Sequence, residues 1–153
     1  MSYRVIGIPS AVAEAVRATR RSAFGGWPTH VEVATGHGPC RLCLQNFNVG
    51  TDRRILFTYD PFAGLEPFPL PGPVFVHEEP CEAYPANSGF PEGLVVHPLT
   101  LNAYGPERTL LSQVRAAPGE ADAAIAELLA QPGVLYVHVR DTKAGCYDFR
   151  AER

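Results

Sequence analysis

The sequence is poor in lysine, in charge overall and in long apolar runs. Of 13 basic side chains in 153 residues only Lys143 is a lysine, 16 acidic residues outnumber them, and the formal net charge is −3. Such a chain has no basic field with which to neutralise a phosphate backbone, which argues against nucleic acid as a partner. No stretch approaches 18 apolar residues, and Met1-Ser2-Tyr3-Arg4-Val5-Ile6-Gly7-Ile8-Pro9 lacks the apolar core of a signal peptide, so a cytoplasmic protein without a membrane partner is expected. Charged residues make up only 19% against 46% hydrophobic, the reverse of a disordered composition. Also missing are a G-x-G-x-x-G turn, a phosphate loop, a G-x-S-x-G elbow and an H-E-x-x-H helix, which disfavours dinucleotide and serine-hydrolase chemistry.

What the chain has in excess is backbone punctuation: 15 prolines and 14 glycines, well above the roughly 12% of average usage. Helix interiors exclude both residues, so a helical bundle or coiled coil is disfavoured. At this length one domain spanning residues 1–153 is the default expectation.

Hydrophobic periodicity predicts mostly strands. Tyr3–Ile8, Thr29–Thr35, Arg53–Asp60, Pro73–Glu79, Leu94–Tyr104, Thr109–Arg115, Leu135–Arg140 and Cys146–Arg150 alternate or are β-branched. In the second half of the chain Leu135, Val137 and Val139 oppose Tyr136, His138 and Arg140. A first helix should begin at Pro9-Ser10 with Ser10 as its cap, and a second runs from Glu120 to Gln131. In the second, Ala121, Ala124, Ile125, Leu128 and Leu129 form one apolar stripe and Pro132-Gly133 stops the helix. Most connections are too short for parallel crossovers. The expected fold is therefore α+β, a largely antiparallel sheet with one or two helices packed on it. Exposed edges of such a sheet favour pairing with a second copy, hence a homodimer.

Eight of the fifteen prolines fall between Pro61 and Pro91, and Pro67, Pro69, Pro71 and Pro73 alternate, reading as an extended, preordered segment entering the strand at Val74. Asp60, in Tyr59-Asp60-Pro61-Phe62, ends a strand and should cap the turn that follows.

Four cysteines in a reducing compartment point to metal binding, thiol chemistry or burial ahead of a disulfide framework. Cys40-Arg41-Leu42-Cys43 is a C-x-x-C pair, a spacing that lets two thiols share one ion or form a small disulfide. His77-x-x-x-Cys81 is a second pair, and together they read C-x2-C-x33-H-x3-C, an ordinary Cys3His donor set for zinc. Two features weigh against it. The gap is longer than in compact zinc fingers, and Leu44 stands where metal-binding knuckles usually place glycine. Buried, inert thiols are the alternative. His37, between Gly36 and Gly38, could be an extra ligand or a base for Cys40, although a loop histidine between glycines is more often simply exposed. A third cluster comprises Tyr136, His138 and Arg140 on one strand face, suited to an anion or carboxylate, with Cys146 following Gly145. Arg41 and these face residues are the candidate binding groups of a small-molecule or protein partner that the residues do not specify.

Pro39-Cys40-Arg41, Tyr59-Asp60-Pro61-Phe62, Gly72-Pro73-Val74-Phe75-Val76-His77, Tyr136-Val137-His138-Val139-Arg140 and Gly145-Cys146-Tyr147 resemble, in this order, the bacterial family called domain of unknown function 1203. The resemblance implies a single small cytoplasmic domain and brings no established activity. It also implies that the Pro-Cys-Arg and Gly-Cys motifs are the steadier features, and that Cys43, His77 and Cys81 are less so. That favours Cys40, His138 and Cys146 as a catalytic constellation over the Cys40, Cys43, His77, Cys81 metal set. Asp141 departs from the Asn the family pattern implies. The expected function is therefore a cysteine/histidine centre, thiol-redox or metal-binding. A non-catalytic ligand-binding or interaction module with structural cysteines is the alternative.

Overall fold

The computed structural model describes residues 2–36 and 38–153. The elements run in the order β1 (Arg4–Ile6), α1 (Ser10–Thr19), β2 (His30–Val33), β3 (Arg53–Tyr59), β4 (Gly72–His77), β5 (Leu99–Tyr104), β6 (Leu110–Ala116), α2 (Ala121–Ala130), β7 (Tyr136–Asp141) and β8 (Tyr147–Glu152), with 3-10 turns at Glu92–Leu94 and Pro106–Arg108. All strand pairing is antiparallel, and the fold is α+β. Among the described residues no helix is long and apolar enough to cross a membrane. The chain forms two compact units, Gly7–Ala83 and Met1–Ile6 with Tyr84–Arg153.

The first unit is built on a three-stranded sheet in the order β2-β3-β4. Alternation in β3 sends Ile55, Phe57 and Tyr59 inward, and the register pairs Ile55 with Val76 and Phe57 with Val74, so both strands bury the same face. Pro73 sits in β4, an edge strand, where a missing N–H costs no ladder bond. Asp60 caps its turn: its Oδ1 accepts the N–H groups of Phe62 and Leu70, both at 3.1 Å. These two bonds close the base of the proline-rich segment. Helix α1 starts as expected but not by the expected cap. Ser10 is already helical, and the capping residue is Pro9, whose carbonyl accepts the N–H of Val12 at 3.0 Å. Ala13 and Val16 are its buried residues.

The second unit carries a five-stranded sheet in the order β1-β8-β7-β5-β6. Helix α2 packs on β5, β6 and β7, burying Ala121, Ile125, Leu128 and Leu129 of the apolar stripe read from spacing, while Ala124 is half-buried. The Arg153 guanidinium donates to the carbonyls of Leu129 and Val134 and ties the chain beyond β8 to the end of that helix. Leu135 precedes the strand and is 49% exposed, because pairing of β7 starts one residue later, at Tyr136 opposite Tyr104 and Glu152. Strands β5 and β6 pair across the turn that begins at Gly105-Pro106, which places Glu107 and Arg108 at φ 55° and 54°.

The central strand β7 is buried on both faces. Val137 and Val139 lie on one; Tyr136 and His138 lie on the other, with His138 fully inaccessible. Rings of Tyr104, Tyr136 and Tyr147 stand 5.4, 5.1 and 5.0 Å from the His138 ring. Burial pushes the His138 pKa down to about 3, with Arg140 and Arg150 adding to the effect. The imidazole is thus neutral when folded, whereas the unfolded chain takes up its proton below about pH 6.5. Stability from this group is complete above that pH and is lost progressively as pH falls toward 3. Its expected loss between pH 7 and pH 5 is about 2 kcal/mol. The check is an NMR titration: the His138 ring resonances should stay constant from pH 8 to pH 4.5, and a midpoint near 6.5 would contradict the assignment.

Candidate metal centre

The sulfur pair lies in a tight loop of the first unit. An isolated bridge between Pro39 and Asn46 opens it, the Cys40 N–H donates to the Gln45 carbonyl at 2.9 Å, and the Leu44 N–H returns to the Cys40 carbonyl at 2.8 Å. Closing the loop requires a left-handed residue after Cys43, and Leu44 adopts it at φ 59°. For a side chain other than glycine this costs about 1–2 kcal/mol. Leu44 is completely buried, and burying a leucine is worth about 1.5–3 kcal/mol, which offsets the strain. The missing glycine is therefore no obstacle to a metal-binding knuckle, contrary to the sequence-level argument.

The loop lies along the free edge of β4. Arg41 N–H donates to the Phe75 carbonyl at 3.0 Å, and His77 N–H donates to Cys40 Sγ at 3.3 Å. Strand pairing thereby closes the 33-residue gap. Cys81 follows β4 in a segment without regular structure, and Arg17 from α1 holds that segment. Its Nε donates to the His77 carbonyl at 3.0 Å and its Nη2 to Cys81 Sγ at 3.3 Å.

Cys40, Cys43, His77 and Cys81 consequently converge, with one ligand atom from each within 4.8 Å of the others. Cys40 Sγ and Cys81 Sγ are 3.8 Å apart; Cys43 Sγ and His77 Nδ1 are 3.5 Å apart. A tetrahedral ion with bonds near 2.3 Å to sulfur and 2.0–2.1 Å to nitrogen requires separations of about 3.8 Å and about 3.6 Å. The four side chains are placed so that they could hold one metal ion such as zinc. Cys40 and Cys43 are buried, His77 and Cys81 half-buried.

The surrounding groups fix the donors. His77 Nε2 lies 3.2 Å from Asp52 Oδ2, and the Asn48 N–H donates to that same carboxylate oxygen at 2.9 Å. The Asn48 N–H, then the His77 ring, hold Asp52 below its usual carboxylate range. An ionised Asp52 accepts the hydrogen bond of the His77 Nε2–H, so that Nδ1, once a cation displaces its proton, would offer its lone pair among the sulfur atoms, the carboxylate–histidine arrangement of metal sites. Backbone N–H groups of Cys43 and Gln45 point at the sulfurs of Cys40 and Cys43. Crowding separates the protons. Hydrogen bonds from Cys43 and Cys81 push the Cys40 thiol far down, whereas sharing with Cys40 pushes Cys43 up. The Cys40 sulfur, then Cys81, raise His77 to about 10. A cation entering the cluster would displace these protons.

The other sequence candidates are placed differently. His37 lies outside the described residues. Arg41 is buried, and its Nη1 donates to the Pro39 carbonyl at 2.7 Å. Cys40 belongs to the first unit; His138, Cys146, Tyr136 and Arg140 belong to the second. Cys146 is half-buried in the turn between β7 and β8, its Sγ 4.0 Å from the Ala144 carbonyl, and Arg140 Nη1 donates to the Gly145 carbonyl at 3.2 Å. Sequence reasoning missed Arg17 and Asp52, which stand 60 and 25 positions from His77, and Gly7, which packs on Arg41 and Leu42; none belongs to a local pattern.

Gly7 is the least replaceable of the three. A Cβ there would lie 2.7 Å from the Arg41 carbonyl oxygen and 3.0 Å from that of Leu42, both backbone atoms of the knuckle. Gly7→Ala should lower stability by about 1–3 kcal/mol, the range of overpacking, by displacing the sulfur loop. Thermal unfolding of the variant measures this, and an unchanged midpoint would show that the loop absorbs the methyl group.

No curated protein and no solved structure matches the chain. Comparison with protein families matches residues 37–153 to the family described as protein of unknown function DUF1203. The matched region contains all four converging donors and leaves Gly7 and Arg17 outside it. By the extent of that match, the chain belongs to the DUF1203 family.

Proposed function

We propose that Cys40, Cys43, His77 and Cys81 bind one zinc ion as a closed structural centre, and that the protein is a zinc-stabilised binding module. The observation that carries this reading is the ligand-atom spacing, 3.8 Å between sulfurs and 3.5 Å between sulfur and nitrogen. Four protein donors complete a tetrahedron and leave no open position for water, which separates structural from hydrolytic zinc sites. Thiolates with one imidazole suit zinc, and their mutual closeness suits a single ion better than a two-iron cluster. Three thiolates and a neutral imidazole around a divalent ion carry one net negative charge. The Arg17 guanidinium at Cys81 opposes it. When bound, the ion supplies a cross-link between the sulfur loop, the end of β4 and the segment after it. Asp52 orients His77 for that cross-link, and the buried knuckle excludes water from two of the sulfurs.

Elemental analysis of tag-free protein should find one zinc per chain, and cobalt substitution should give tetrahedral ligand-field bands with a thiolate charge-transfer band. Stripping the metal should lower the unfolding midpoint by about 10 °C, given roughly 4 kcal/mol at a thousandfold excess over Kd. Absence of stoichiometric metal, together with a midpoint insensitive to added zinc, would refute the reading. Asp52→Ala should weaken zinc affinity by about 10–100-fold, read by competition with a chromophoric chelator. An unchanged affinity would remove Asp52 from the site.

A further inference from the structure

The four donors are unequally protected, and the inequality bears on what an oxidant does to the centre. Cys40 is fully buried and accepts N–H bonds from His77 and Cys43; Cys43 is 9% exposed and accepts one from Gln45. Both belong to a loop closed by backbone bonds at 2.8 and 2.9 Å. Among the described residues Cys81 has neither form of support. It is half-buried, in a segment without regular structure, and its sulfur accepts from the Arg17 side chain. Its sulfur is also 3.8 Å from Cys40 Sγ, so a disulfide bond length of about 2.0 Å is reached by closing less than 2 Å in the more adaptable of the two segments.

We infer that the centre is redox-sensitive: a peroxide oxidises Cys81, Cys40 resolves it, and the resulting Cys40–Cys81 disulfide expels the zinc ion. The inference rests on the zinc reading above. In the first step the Cys81 thiolate attacks one peroxide oxygen, the O–O bond breaks, Cys81 becomes a sulfenic acid and hydroxide leaves. In the second, the Cys40 thiolate attacks the Cys81 sulfur, the S–S bond forms and a second hydroxide leaves. Two thiolates lose two electrons, the peroxide gains them, and two protons from solvent convert the hydroxides to water. Cys43 and His77 remain as donors, half of a tetrahedral set. As a zinc ligand Cys81 is already a thiolate, the form reactive toward peroxide.

The experiment treats the zinc-loaded full chain with hydrogen peroxide in the presence of a chromophoric zinc chelator and maps disulfides by peptide mass spectrometry. One zinc per chain should be released with a Cys40–Cys81 cross-link as the principal product, and dithiothreitol with zinc should restore the original content. Substoichiometric maleimide should label Cys81 before Cys40 and Cys43. Retention of zinc at peroxide doses that fully oxidise a free-thiol control overturns the inference and leaves the zinc centre standing. A Cys40–Cys43 cross-link, or first labelling at Cys43, does the same. A chain that takes up no zinc overturns both readings.

Discussion

The free edge of β4 is the constraint on which the candidate site depends. An edge strand offers unpaired backbone groups, and here the sulfur loop takes them up. The Phe75 carbonyl receives the Arg41 N–H, and the His77 N–H is received by a sulfur atom. One element thus serves as the last strand of a sheet, as the carrier of His77 and as the template for the C-x-x-C loop. Because pairing fixes the loop's backbone against the strand, donors 34 positions apart meet at metal-ligand distances. Gly7 packs against the same loop, its bare Cα close to the loop carbonyls.

Beneath the site the packing is aromatic and charged at once. The Arg54 guanidinium stands 3.9 Å from the Phe75 ring centroid and 5.4 Å from that of Phe47, with Glu32 at 3.0 Å. Phe47 meets the His77 ring edge-on at 4.8 Å. A nearly buried arginine is tolerable because its charge is paired and its planar face is stacked. The same packing bears on the imidazole, so His77 is oriented by a carboxylate at Nε2 and by a ring against its face. The second unit treats its buried histidine in the opposite way. His138 is enclosed by tyrosine rings beside Arg140 and Arg150 and is held neutral, whereas His77 faces sulfurs and a carboxylate and is held cationic until a metal takes the proton's place.

The strands and the second helix were legible because alternation and the 3.6-residue stripe survive any tertiary arrangement. Ile55, Phe57 and Tyr59 bury one face, and Ala121, Ile125, Leu128 and Leu129 another, as their spacing implies. Expectations built on one residue's usual preference held less well. Ser10 is not the cap of α1, since the preceding proline already supplies the carbonyl, and Leu44 takes a glycine's conformation because its side chain has a core to enter. Local preferences of this size, about 1 kcal/mol, yield to burial of a whole side chain.

The sequence by itself determined the donor chemistry: three thiols and an imidazole in two short-spaced pairs, with the strands that carry or flank them and the prolines that stiffen the approach to β4. Covalent spacing within a pair is local, so C-x-x-C and H-x-x-x-C can be read without knowing the fold. Only the tertiary structure decided that the two pairs meet, that Asp52 and Arg17 stand behind them, and that His138 and Cys146 belong to the other compact unit. The physical reason is that convergence across tens of residues is set by strand register and edge pairing, and these are properties of the whole sheet rather than of any segment of it.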